Sequence, residues 1–170
     1  RQRTLWRAAA IAVGATAIVL VPLWLSARAS REAANEAIAV ADHVATVLQD
    51  TSLSLGLGDH ESARSRLDGG IASVREFLGR HDVPRMHYLL ARLLRARSLR
   101  DEALAELDRA LAAEPALADA RFERGLLLAS RTELSAAGRD RAIADLDVGL
   151  ADLSVLRDVD RLFGKAELLR

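Results

Sequence analysis

Apolar positions along this chain change their spacing from segment to segment, and the changes mark its parts. From Ala8 to Ser26 no charge interrupts the apolar run, which as a helix is about 28 Å long at 1.5 Å per residue, the thickness of a bilayer's hydrocarbon core. From Ser30 to about Leu48 the pattern is amphipathic, with Ala34, Ile38, Ala41, Val44 and Leu48 on one stripe and Arg31, Glu32, Glu36 and Asp42 elsewhere. Ser52 to Gly58 alternates Ser and Gly with Leu53, Leu55 and Leu57, which reads as a two-glycine connector, a short strand being the alternative. Asp59 is placed to cap a helix from His60 to about Gly79 whose stripe is Ala63, Leu67, Ile71, Val74 and Leu78.

The stretch from Pro84 to Leu117 predicts a helical hairpin. Leu90, Ala91 and Leu94 share a face of its first helix, and Ala103, Leu107, Ala110 and Leu111 a face of its second, with Ser98 to Asp101 as the turn. Small residues stand where the two backbones must approach. Pro115 ends the second helix, because it lacks an N–H and disfavours a helical residue before it. The spacing returns from Ala118, with Gly125 and Leu128 in a first helix and Ala142, Leu146 and Gly149 in a second. The turn between them is lengthened through Glu133 to Gly138. A further unit opens at Arg157, with Phe163 and Gly164 in register with the units before it.

This pattern resembles a tetratricopeptide repeat, the helix-turn-helix unit that stacks into a solenoid at a period of about thirty-four residues. The family's small and large apolar positions fall on Ala91, Ala103, Leu107, Ala110 and Pro115, while His87 stands where the family has tryptophan and Leu94 where it has tyrosine. With the resemblance, the chain reads as all-α: an N-terminal transmembrane anchor over 1–29, read from its uncharged run, a linker helix with a degenerate capping repeat over 30–83, a repeat over 84–117, a second over 118–156, and the first helix of another over 157–170. Residues Leu90, Ala91, Leu94, Ala103, Leu107, Ala110, Pro115, Gly125, Leu128, Ala142, Leu146, Gly149, Phe163 and Gly164 would then pack the repeats. The first helices would line a concave groove for a protein or peptide partner, through Arg85, Tyr88, Arg92 and Arg95, then Asp119, Phe122 and Leu126, then Arg161 and Lys165. Arginines beside two aromatics would suit an extended peptide with acidic and apolar side chains, the alternative being that Tyr88 and Phe122 pack between repeats. The asparagines through which some members clamp a carboxyl terminus are replaced by Arg92 and Leu126.

The leader reads as a membrane span. Trp6 and Trp24 bracket it as an aromatic belt, and Arg1, Arg3 and Arg7 before it slightly outnumber Arg28 and Arg31 after it. That asymmetry favours a cytoplasmic N-terminus in a bacterial inner membrane, with the repeats outside the cytoplasm. The rival is a signal peptide cut at Ala27-Arg28-Ala29. Because the chain opens on Arg1 rather than Met and breaks off one helix into a unit, it is expected to be part of a longer protein. The order of span, long helix and repeats is similar to the region after the kinase domain in bacterial receptor-type serine/threonine kinases, although no kinase motif occurs in these residues.

Composition narrows the function classes. Cysteine is absent, which excludes disulfides and thiolate chemistry, and 24 basic residues balance 24 acidic ones with the signs mixed, so no nucleic-acid footprint is expected. His81 and His87 flank Pro84 without a third ligand at metal spacing; Asp145, Asp147, Asp152, Asp158 and Asp160 lie beside arginines on expected solvent faces; Gly56 and Gly58 lack the lysine of a phosphate loop. No catalytic residue, cofactor or metal site is expected. The expected function is a non-enzymatic, membrane-anchored scaffold that binds another protein, one version of it being the sensor or docking segment of a larger kinase. The alternatives are an envelope assembly factor for secretion, pilus or cytochrome maturation, and a secreted adaptor.

Overall fold

A computed structural model describes the backbone of residues 2–131 and 134–151, with side chains at residue 28 and from residue 30 onward within that range. Among the described residues the chain is all-α, with six helices and no strand: α1 (Gln2–Gly56), α2 (His60–Leu78), α3 (Pro84–Ala96), α4 (Arg100–Ala113), α5 (Ala118–Ala129) and α6 (Ala136–Ala151). Two compact units divide it, one ending at Ala39 and one beginning at Val40. The first is helical throughout its described length. No helix among the described residues is long and apolar enough to cross a membrane, and the side chains of the expected span at 8–26 lie outside the described residues, as do all of 157–170.

The second unit holds the helical hairpins. Expectation and structure part at Ser52 to Gly58: α1 continues through this stretch to Gly56 instead of yielding to a connector. Thr51 and Ser54 are buried on the same side as Val44 and Val47, and the Thr51 and Ser52 hydroxyls donate to the carbonyls of Val47 and Leu48 at 2.6 and 3.0 Å. Those bonds absorb the polar groups that would otherwise compete with helix. The helix ends at Gly58, which takes φ 78°. The Gly58 N–H donates to Leu55 O at 3.1 Å and the Asp59 N–H to Ser54 O at 2.9 Å, the paired bonds of a Schellman cap.

The same cap recurs after α3. Ser98 takes φ 68°, its N–H donates to Arg95 O at 2.9 Å, and the Leu99 N–H donates to Leu94 O at 2.8 Å. Asp59 and Leu99, the residues that open α2 and α4, have nearly equal conformations, φ −87°, ψ 74° and φ −91°, ψ 67°. Burial follows the same translation: Thr51 with Ala91, Ala63 with Ala103, Leu67 with Leu107, Gly70 with Ala110, Ile71 with Leu111 and Phe77 with Leu117 are all buried. At these positions residues 51–77 follow residues 91–117, while others depart from the match: Met86 and Leu93 are buried where Thr46 and Leu53 are exposed, and Val74 is buried where Glu114 is exposed. The buried polar residues Thr51 and Ser54 hid the match.

Local chemistry sets the remaining boundaries. Val83 is extended at φ −118°, ψ 119° because Pro84, the first residue of α3, excludes a helical neighbour before it. The Asp59 carboxylate accepts from the Ser62 N–H at 3.1 Å and caps α2. Ser135 holds the start of α6, its hydroxyl accepting from the Gly138 N–H at 3.1 Å. Gly69 and Gly70 cost α2 up to about 1 kcal/mol each in propensity. Burial of Leu67, Ile71, Val74 and Phe77, at roughly 1.5–3 kcal/mol per large side chain, outweighs that cost.

Close approach explains the small residues. A Cβ on Gly125 would stand 2.8 Å from Leu146 Cγ and 3.0 Å from Ala142 O, and one on Gly149 would stand 2.5 Å from Phe122 Cβ and 2.9 Å from its Cα. A Cβ on Gly70 would meet Val47 Cγ1 at 3.2 Å and Leu93 Cδ1 at 3.4 Å, so α1, α2 and α3 converge there. Neighbouring helices pack in chain order from α2 to α6, and α3 also touches α5. A first helix touching the next unit's first helix is the contact pattern of a stacked helical repeat.

Candidate functional site

The face shared by α3 and α5 collects most of the residues expected in a groove. Pro84 fixes the start of α3, so Arg85, Tyr88, Arg92 and Arg95 fall on one side of it, and α5 brings Asp119, Phe122 and Leu126 opposite. Two of these do not reach a surface. Phe122 is wholly buried against Leu146, with Ala118, Leu126 and Leu150 packed around it, and Tyr88 is only 4% exposed. Burial of both rings fits the alternative reading, in which they pack inside the stack and do not line a groove. Leu126 is half-buried, and Arg161 and Lys165 lie outside the described residues.

The arginines are matched by carboxylates across the face. Arg85 Nη2 lies 4.0 Å from Asp119 Oδ2. Arg95 Nε lies 2.5 Å from Oε1 of Glu123, a residue 2% exposed. That buried oxygen accepts no hydrogen bond among the described residues, so the contact is an ion pair, whose attraction needs no particular angle. Arg92 has no carboxylate within ion-pair distance among the described residues, and its guanidinium stands 5.9 Å from the centroid of the Tyr88 ring, near the outer reach of a cation–π contact. Among the described residues Arg92 is thus the arginine of this row without a carboxylate partner.

The packing residues are placed as follows. Leu90, Ala91, Leu94, Ala103, Leu107, Ala110, Gly125, Ala142, Leu146 and Gly149 are buried, Leu128 is half-buried and Pro115 is exposed just past the end of α4; Phe163 and Gly164 lie outside the described residues. Asp145 departs from the expected solvent face. It is 2% exposed and accepts a bidentate pair from Arg124, Nε to Oδ2 at 2.6 Å and Nη2 to Oδ1 at 2.9 Å. Arg124 also donates to Asp108 Oδ1 at 2.7 Å, so one guanidinium joins α4, α5 and α6. Its hydrogen bonds to Asp145, and then to Asp108, hold its pKa above the ordinary arginine value against the opposing effect of burial. Sequence reasoning missed this network, although Arg124 falls on the Ala120–Leu127 stripe of α5 and Asp145 on the Ala142–Gly149 stripe of α6. Opposite charges on two facing apolar stripes were the available signal.

His81 and His87 are engaged by neighbours. His87 has Glu106 Oε2 at 2.6 Å from Nδ1 and Asp82 Oδ1 at 2.9 Å from Nε2, so its two ring nitrogens face opposite carboxylates rather than one shared centre. The His81 ring lies against Phe77, centroids 5.1 Å apart. Among the described residues no group of three His, Cys, Asp or Glu is arranged to hold a metal ion. Comparison with protein-family models, with curated proteins and with solved structures finds no match to this chain.

Proposed function

We propose that this chain is a non-catalytic scaffold of stacked tetratricopeptide-like units, held at a bacterial membrane by residues 8–26, that binds a protein partner on the face shared by α3 and α5. The observation that carries the reading is the contact between α3 and α5, the first helices of successive hairpins, beside the same cap closing α1 and α3. Such stacking presents side chains from successive units in a preset arrangement, so a partner meets little reorganisation cost. The partner chemistry that suits this face is a segment with one carboxylate for Arg92 beside apolar side chains for Leu126. The internal pairs at Arg85 and Arg95 argue against a run of acids. The arrangement of leader and repeats continues to favour a docking segment of a larger signalling kinase over an envelope assembly factor.

The test compares capture of envelope proteins by the wild-type chain, by Arg92→Glu, and by Asp140→Arg on the exposed surface of α6. A partner lost by more than about fivefold on Arg92→Glu and retained by Asp140→Arg supports the reading, with all three proteins melting alike. Equal capture by all three removes Arg92 from any binding face.

A further inference from the structure

A cleft of about 200 Å³ lies between the end of α1, the start of α2 and the turn after α3, and none of its lining residues belongs to the expected groove. Leu55, Ala63, Leu67 and Ala96 give it an apolar wall, and His60, Arg64 and Arg97 give it a cationic one; no carboxylate belongs to its lining. Arg64 has no carboxylate within ion-pair distance among the described residues. Arg97 spends its Nε on Asp68 at 2.8 Å, which leaves its two terminal amino groups. Nearby Asp59 already accepts from the Ser62 N–H. The Thr51 hydroxyl donates to Val47 O, so protons for a ligand must come from the cations and from Ser98.

We propose that this cleft binds a small carboxylate that carries a branched alkyl group, the carboxylate on Arg64 with Arg97 and His60 beside it and the alkyl group on Leu55, Ala63, Leu67 and Ala96. The guanidinium fork matches a planar carboxylate with two parallel hydrogen bonds. A bare inorganic anion would leave the apolar wall wet, and a neutral alkyl compound would leave the cations without a counter-charge. The two Schellman caps border the cleft with the same backbone geometry, so the site is built by the repeat itself and is independent of any partner on the α3–α5 face.

Methyl-detected NMR on the full chain in a non-ionic detergent tests it, with 3-methylbutanoate, N-acetylleucine, N-acetylleucinamide and inorganic phosphate as probes. At least one of the two carboxylates should produce saturable shifts at the methyls of Leu55, Ala63, Leu67 and Ala96. Arg64→Gln, at an exposed position, should weaken that binding about tenfold, and Ala96→Leu, which fills the cleft without changing charge, should abolish it. Tighter binding of N-acetylleucine identifies the carboxyl terminus of a chain as the source of the group, and tighter binding of 3-methylbutanoate identifies a free acid. The proposal is overturned if N-acetylleucinamide or phosphate reproduces the shifts, if neither carboxylate saturates, or if Arg64→Gln binds as the wild type does.

Discussion

Ser98 and Gly58 occupy one conformation in two copies of the same turn, and the pair isolates what that conformation costs. A side chain at φ 68° crowds the following carbonyl by about 1–2 kcal/mol, a penalty glycine escapes. Ser98→Gly should therefore raise unfolding free energy by about 1 kcal/mol, and Gly58→Ala should lower it by a similar amount, both read from urea melts. Asp59 carries a second single-residue effect. Its hydrogen bonds to Ser62 hold its carboxyl below the ordinary aspartate value, so the folded chain releases that proton more readily than the unfolded one. The resulting stability is present above the unfolded pKa and is lost as pH falls through the folded one. Asp59→Asn keeps a capping oxygen but cannot titrate; its loss of melting temperature between about pH 5 and pH 3 should be smaller than that of the wild type.

At the scale of helices, the two glycines most similar on paper have opposite meanings. Gly149 abuts the Phe122 backbone, so Gly149→Ala forces α5 and α6 apart and should destabilise by about 1–3 kcal/mol. Gly69 has open space where its Cβ would stand, and Gly69→Ala should stabilise α2 by up to about 1 kcal/mol through helix propensity. Thermal melts of the two variants would check the contrast, and equal shifts would contradict the close packing of α6 on α5. Alternation of small and large residues was readable in advance at Ala91, Ala103 and Gly125. The length of α1 was not, because Ser52 to Gly58 has the composition of a connector and only tertiary packing makes Thr51 and Ser54 interior residues.

Across the whole stack the joints differ in chemistry. Around Gly70 the join is apolar, formed with Val47 and Leu93, whereas α4, α5 and α6 share the Arg124 guanidinium with Asp108 and Asp145. Removing Asp145 leaves the buried Arg124 guanidinium with only the half-exposed Asp108 as counter-charge. Asp145→Ala is accordingly expected to cost about 3–5 kcal/mol, and Asp108→Ala, at a half-exposed position, about 1 kcal/mol or less. Denaturant melts on the two variants would test this, and a small effect for Asp145→Ala would mean that water reaches the joint. The exposed pairs Arg66–Asp50 and Arg75–Glu102 should matter less than either.

Local signals determined much of this protein without help from its neighbours. Apolar spacing, Pro84, Pro115 and the capping Asp59 mark where helices begin and end, since those effects act within a turn or two of chain. The identity of small residues at the tight contacts follows from the same spacing. Tertiary structure decided which residues beyond those apolar stripes also turn inward, because that depends on residues far away in sequence. It buried Tyr88, Phe122 and Asp145, matched Arg85 and Arg95 with carboxylates of α5, and left Arg92 and the cleft at Arg64 as places where charge is still unanswered.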